Sequence, residues 1–526
     1  MAWALALCLP AQAATAQPVL PPGQPVHPVP SKGMPVRYRI DAPSGSYLAG
    51  RIEAGTVPVT ADLLDGQGRH LRRLAEAGRG DIDFQAMTEG ETLLQLSAPG
   101  PVTLRLDRIV PPADQVAPAP EYLSPRIAAL AHTLQGGGDA AAFWDEVTRH
   151  GTPVVEDAGD GQVILTFLWR GAHRNVRLFG GPSSDHEWLE RLGDSDVWFK
   201  SFTVPDSTRL SYRLAPDVPD IPGNARTRRA ALLATAQMDP LNRHPWPVDA
   251  PDRFSADATV TLENAPPQPG TPPDPQADPR ISRFVLDSLT LGNSREITVS
   301  RPRDLDPSDP RIVIAVIFDG EKALERIEAP QVLDTLTRQG RLPPVVAVLV
   351  PSIDSQTRAR ELPGNRVFAD ALADELLPQV AAHLGVAPDP ARTVLAGASY
   401  GGLAAATVAL SRPDAFGNAL SMSGSFWWAP GDADTDGTPW MADQVARRTS
   451  PPPVRFFLSA GLFESGRRGT AGILETSRIL RDTLRLRGYD VTWRTYAGGH
   501  DYLVWRGALA DGLIALFGNP EQAGSP

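Results

Sequence analysis

The run Thr393-Val394-Leu395-Ala396-Gly397-Ala398-Ser399-Tyr400-Gly401-Gly402-Leu403 passes from an apolar, β-favouring stretch, through a serine flanked by glycines, into the apolar helical run Leu403–Leu410. This is G-x-S-x-G in the strand–turn–helix setting that gives the pentapeptide its meaning. The glycines let the backbone turn sharply, so the serine Oγ projects from a sheet edge. The start of the following helix favours developing negative charge. A glycine-rich turn that merely contains a serine is the competing reading, and the surroundings argue against it. Ser399 is therefore the expected nucleophile.

Those surroundings alternate strands with helices. Arg311–Phe318 and Val345–Val350 are nearly continuous apolar runs rich in β-branched residues, and Thr393–Gly397, Val454–Ser459 and Val491–Tyr496 are shorter ones. Apolar strands between helical segments predict a mostly parallel sheet covered on both faces, the α/β-hydrolase arrangement. This catalytic domain is expected over 280–518.

A serine alcohol needs a base to attack at neutral pH. The catalytic segment holds two histidines, His383 and His500. His383 lies toward the end of an amphipathic helix, as an ordinary C-terminal helix residue. His500, in Ala497-Gly498-Gly499-His500-Asp501-Tyr502, follows the last strand, where this fold places its base. The orienting acid usually follows the penultimate strand, which points to Glu464 in Ala460-Gly461-Leu462-Phe463-Glu464-Ser465. Asp501 beside the base, the more distant Asp443 and Asp432, and a dyad without an acid remain open. An oxyanion hole needs two backbone N–H groups. Tyr400, directly after the nucleophile, is one candidate. Gly320 in Asp319-Gly320-Glu321, after the early strand, is the other, because its missing side chain permits close substrate approach.

Arg358, Arg360 and Arg366 cluster after the central strand, on the edge of the sheet that carries the site. Arginines there suit an anionic aromatic substrate through charge and stacking. Solvated loop arginines, with Arg360 paired to Glu361, are the alternative.

The rest of the 526-residue chain is too long for one core and divides into further modules. Its 53 prolines concentrate in linkers. One is Gln17–Lys32, read as a tether. Another is Val110–Pro120. The third, Asn264–Pro279, holds seven prolines. Short alternating runs between them predict a small β-sandwich over 33–110, and a second, tryptophan-rich one over 121–262 that begins with helices at Ser124–Leu134 and Ala140–His150. Core packing is the commoner use of such tryptophans, a binding surface the other. The predicted fold is thus multidomain: two N-terminal β-sandwich modules, then an α/β-hydrolase domain.

A net charge of −11 makes nucleic acid a poor partner. Cys8 is the only cysteine, and it lies in the segment MAWALALCLPAQAATAQ. Residues 1–16 read as a signal peptide, with a short apolar stretch and small residues at cleavage spacing. The missing basic flank leads us to expect a start upstream of Met1. An apolar tail is the other reading. Leu7 before Cys8 argues against lipidation. Without Cys8 the chain has no disulfide, metal thiolate or cysteine nucleophile. No stretch is read as a membrane span, and no obligate protein partner is inferred.

Several blocks together resemble the enterochelin (enterobactin) esterase family. They are Phe318-Asp319-Gly320, Arg358-Ala359-Arg360-Glu361-Leu362-Pro363-Gly364-Asn365, Gly397–Leu403, Ser421-Met422-Ser423-Gly424-Ser425-Phe426-Trp427-Trp428 and Gly498–Arg506. Upstream, Phe143-Trp144, Gly151-Thr152-Pro153, Thr166–Arg170, Asp196-Val197-Trp198 and Asp239–Asn242 resemble that family's N-terminal β-sandwich. The likeness covers roughly Leu123 to Gly518. It implies hydrolysis of the ester bonds of a catecholate siderophore, an enterobactin-like trilactone, ferric or iron-free, in iron acquisition. By the same likeness Ser399 and His500 are catalytic and Arg358 and Arg360 hold the anionic complex. Trp428 and Arg506, within the two most specific blocks, count as further substrate-binding candidates. Neither cofactor nor catalytic metal is expected, iron arriving with the substrate. Familiar members are cytoplasmic and two-domain, whereas this chain adds a β module and an export signal. A periplasmic location is therefore expected, a cytoplasmic one being the alternative. An exported esterase for feruloyl or acyl-sugar esters, and a silent siderophore- or carbohydrate-binding protein, are the competing functions.

Overall fold

The computed structural model describes residues 17–518, apart from 31–33, 116–119, 184–185, 432, 434–436 and 467–468. The expected signal segment 1–16, with Cys8, and the outlying carboxylate Asp432 lie outside the described residues. The chain forms two compact units, Met1–Glu121 and Tyr122–Pro526.

In the first unit, two four-stranded antiparallel sheets share one apolar core. Alternate residues along each strand point inward. Leu48 and Ile52 come from one sheet and Leu94 and Leu96 from the other, all fully buried. The boundary expected at residue 33 is corrected here. Leu20 is buried in that core, its N–H bonds the Arg39 carbonyl, and Pro25–Val26 pairs with Thr103–Val110. The proline-rich stretch is thus an edge of the unit and not a free tether. Proline has no N–H to donate, so it is tolerated on a sheet edge.

The second unit begins with two helices, Pro125–Gln135 and Ala141–His150, packed on an antiparallel sheet through Ile127, Trp144 and Val147. That sheet and a five-stranded one enclose a core containing Phe167, Tyr212 and Leu214. Of the tryptophans here, Trp144 and Trp198 are buried and their indole N–H groups donate to Asp196 and to the Ala172 carbonyl.

The same unit carries an eight-stranded sheet, whose strands we number β1 (Arg280–Ser288), β2 (Asn293–Arg301), β3 (Val313–Phe318), β4 (Val345–Val350), β5 (Thr393–Ala398), β6 (Asn418–Met422), β7 (Arg455–Gly461) and β8 (Asp490–Tyr496). Their order is β1-β2-β4-β3-β5-β6-β7-β8, parallel from β4 to β8 with β1–β2 as an antiparallel edge hairpin. This is the α/β-hydrolase sheet. Along β3, Ile314, Val316 and Phe318 enter the core on one face, and Val313, Ala315 and Ile317 the core on the other. Each core is closed by helices, which is why these strands read as unbroken apolar runs. No described helix is long and apolar enough to cross a membrane.

The stretch Asn264–Pro279 is not a loose linker either. The Asp274 and Asp278 N–H groups donate to Thr335 and Asp334 on the helix Ala329–Arg338, and the Gln268 amide donates to the Leu503 carbonyl. It straps the upstream sheets to the catalytic domain.

Because Leu20 fills the first unit's core, Leu20→Ala should cost about 2–5 kcal/mol of that unit's stability. Calorimetry should show its transition moving down in temperature, whereas a free tether would leave every transition in place.

Candidate active site

Parallel strands deliver their following loops to one edge of a sheet. The pairing sets Ala398 beside Met422 and Met422 beside Ser459, so the loops after β5, β6 and β7 emerge together. Ser399 stands between β5 and the helix α1 (Tyr400–Ser411) at φ 58°, ψ −121°. A non-glycine residue adopts that backbone only where its surroundings impose it. The imposition is visible. Ser399 N–H donates to the Met422 carbonyl at 3.0 Å, and the Ser399 carbonyl accepts from Ser425 N–H at 3.0 Å. A Cβ on Gly397 would stand 2.6 Å from the Gly401 backbone, so this glycine is needed for close approach of strand and helix. Ser399 is partly exposed, and its Oγ lies 3.3 Å from Ser425 Oγ, its one side-chain hydrogen bond among the described residues.

Glu464 follows β7 and is 4% exposed. Its Oε1 lies 2.6 Å from His500 Nδ1, and its Oε2 accepts from Ser423 Oγ at 2.8 Å and from Gly461 N–H at 2.6 Å. Three donors compensate the burial of this carboxylate. Trp505 completes the enclosure. Its ring meets the His500 ring edge-on at 4.7 Å, and its Nε1–H donates to Ser423 Oγ at 2.9 Å. His500 is thereby fixed through Nδ1 while its ring stays exposed.

Asp501 does something else. It caps the helix α2 (Tyr502–Phe517), accepting from Leu503 N–H at 2.8 Å, and it accepts from both the N–H and the hydroxyl of Ser211 in the upstream sheets. Burial raises its pKa above the ordinary carboxylate value. It fastens the His500 loop to the upstream sheet, and no hydrogen bond joins it to the imidazole among the described residues. Asp443 is held by Arg447, the residue that caps the C-terminal end of its helix. His383 pairs with Ser282 on the edge strand β1.

Gly320 lies after β3 and is buried. Its lack of a side chain has a cause in packing. A Cβ there would come within 2.6 Å of the Leu349 backbone and 2.8 Å of Val350 N, so glycine is demanded by packing on β4. Tyr400 is the first residue of α1, where helical N–H groups have no partner in the preceding turn.

The substrate-binding candidates separate. Arg358 makes a bidentate pair with Asp319, both bonds 2.7 Å. Arg360 is exposed, and the Glu361 expected as its alternative partner is instead buried against Arg295 at 2.8 Å. Trp428 packs edge-on against Trp440, while its neighbour Trp427, 52% exposed, approaches Tyr400. Arg506 donates to Gln268 and Glu328, and its guanidinium lies 5.8 Å from the Trp246 ring centroid.

What does surround the base is a cleft of about 790 Å³ between the upstream sheets and the catalytic domain. Its lining includes Phe179, His186, Trp246, Arg326, Trp427 and Phe463, together with His500 and Tyr502. Arg326 lies 3.9 Å from the Trp246 ring centroid and pairs with Asp257. None of these six lining residues was a site candidate by sequence, since five separate segments bring them together. Ser423 and Ser425 had a signal, the Ser-Gly-Ser spacing in an already conspicuous block.

Two family models match the chain: a putative esterase over residues 288–516 and the enterochelin esterase N-terminal domain over 164–271. The iron(III) enterobactin esterase of Dickeya dadantii is 34% identical over 440 residues, covering 76% of this chain and 98% of that protein. The ferric enterobactin esterase of Salmonella typhimurium superposes with a TM-score of 0.59 at 31% identity, over 71% of this chain and 98% of its own. The enterobactin esterase of Shigella flexneri, crystallised in the presence of enterobactin, gives 0.57 at 30% identity, over 72% and 97%.

The two carboxylates make opposite predictions. Glu464→Gln should lower kcat on an aryl acetate by about 10²–10⁴-fold, since the imidazole loses its tautomer and orientation. Asp501→Ala should lower kcat far less and reduce stability instead, by about 1–3 kcal/mol for the donors left unpaired. Steady-state kinetics beside thermal melts of both variants distinguish the roles.

Proposed function

The chain belongs to the enterochelin esterase family, whose members are serine esterases, and from that membership we propose that it hydrolyses the ester bonds of a catecholate siderophore. An enterobactin-like trilactone, ferric or iron-free, is the substrate class, and iron enters only as part of it. The observation that carries the reading is the strained Ser399 elbow beside the Glu464–His500 bond of 2.6 Å, within a chain 34% identical to an iron(III) enterobactin esterase.

With Nδ1–H directed at Glu464, His500 Nε2 is the basic nitrogen. It takes the Ser399 hydroxyl proton as Oγ bonds to the ester carbonyl carbon. The carbonyl oxygen becomes an oxyanion, which the N–H groups of Gly320 and Tyr400 stabilise. Collapse breaks the ester C–O bond, and the imidazolium protonates the leaving serine-derived alkoxide. Water, deprotonated by His500, then releases the acyl group as a carboxylic acid and restores Ser399. Repeated three times, the cycle takes a trilactone to its monomers.

The cleft supports a bulky, anionic, aromatic substrate. Trp427, half exposed, offers an aromatic surface for catechol rings, and Arg229 lines the same volume with positive charge. These residues replace Trp428, Arg360 and Arg506 as our proposed substrate contacts. A silent binding protein has no use for a strained nucleophile and a buried carboxylate aimed at a histidine. We also propose that the two upstream sheet pairs are β-sandwich modules, and that the enzyme works in the periplasm, on the signal-like sequence of 1–16.

Chromatography of ferric and iron-free enterobactin incubated with the protein should show trimer, dimer and monomer of dihydroxybenzoylserine accumulating in sequence. Ser399→Ala should remove at least about 10⁴-fold of that rate. Turnover of an aryl acetate with enterobactin left intact would retain the chemistry and refute the substrate.

A further inference from the structure

Asp319 stands between β3 and Gly320, and it is a non-glycine residue in the left-handed region, at φ 51°, ψ 50°. Its carboxylate, nearly buried, is held at three points: by Arg358 Nε and Nη2, each at 2.7 Å, and by Ser352 Oγ at 2.6 Å. An unfavourable backbone conformation persists where neighbouring contacts over-determine it, and here the contacts act through the side chain. The same guanidinium lies 5.6 Å from the ring centroid of Tyr400, the residue after the nucleophile. Arg358 itself is firmly based. Its helix, Ser355–Glu361, is capped by Asp354, which accepts from Thr357 N–H at 2.7 Å, and is tied down by the buried Glu361–Arg295 pair.

We infer that Arg358 is a positioning residue for the oxyanion hole, joining through one guanidinium the two backbone segments, Asp319-Gly320 and Ser399-Tyr400, that hold the developing oxyanion. Its pairing also neutralises Asp319. An unpaired carboxylate at that place would oppose charge developing on the substrate oxygen. This role differs from a clamp on the anionic substrate, because two of the guanidinium's donors are already committed to Asp319. The inference rests on the proposed roles of Gly320 and Tyr400, and not on the identity of the substrate.

The two roles separate on substrate charge. Positioning acts on kcat for any ester, whereas a clamp acts on KM for the siderophore alone. With purified full-length protein, Arg358→Gln should lower kcat on neutral p-nitrophenyl acetate by about 100-fold, with KM changed less than about threefold. Arg358→Lys should recover little, since an ammonium cannot form the bidentate pair. Asp319→Asn tolerates the left-handed backbone and loses the charge pair, so it should reproduce the loss even where Arg358→Gln folds poorly. The double variant should be no worse than either single one, because both break the same contact. Arg358→Gln or Asp319→Asn retaining aryl acetate kcat within about threefold, with the defect confined to KM for ferric enterobactin, would overturn the inference. Wild-type turnover of aryl acetate without enterobactin cleavage would refute the siderophore reading and leave this test intact.

Discussion

The Glu464 carboxylate is the contact on which the rest of the site depends. It gathers the loop after β6 through Ser423, the end of β7 through Gly461, and the loop after β8 through His500. A buried carboxylate pays a large desolvation cost unless every lone pair is met, so these loops are held to one arrangement. Trp505 adds a fourth element by reaching Ser423 and covering the imidazole edge. Ser399 joins through backbone bonds to Met422 and Ser425 and through its hydroxyl, 3.3 Å from Ser425 Oγ, on the loop that Glu464 already secures.

The upstream sheets belong to the active site as much as the catalytic sheet does. Asp501 bridges the loop of the base to Ser211, Asp257 pairs with both Arg213 and Arg326, and Gln268 joins the strap to Leu503. These buried or half-buried contacts explain why the region after Tyr122 is one compact unit, although its sequence reads as two modules with a linker. They also account for the cleft, which has a wall from each part.

Legibility followed the range of the physical cause. The places of Ser399, His500 and Glu464, each just after a strand of the parallel sheet, were readable because strands buried on both faces announce themselves by composition. The edge hairpin β1–β2 was not, because one side faces solvent and its sequence, Arg280–Arg301, mixes charge with apolar residues. The packing of Gly320 on β4 was not legible either, since that contact has no signature in the residues around it. The prolines of Asn264–Pro279 looked like a tether because proline reports a lack of helix or central strand, and says nothing about whether backbone donors find partners elsewhere.

The sequence by itself determined the parallel sheet, the sharp turn at Ser399 and the order Ser399, Glu464, His500 after successive strands, because local pattern and spacing along the chain are sufficient for those. Only the tertiary structure decided between Glu464 and Asp501, neighbours of the same histidine in space and in sequence respectively. The deciding quantity is direction: one carboxylate meets Nδ1, while the other turns to Ser211, 290 residues away along the chain. It likewise turned Arg358 from a free cation into the partner of Asp319, and built the cleft from side chains of distant segments. Charge, exposure and hydrogen-bond partners are properties of neighbours, and neighbours are assigned only when the chain has folded.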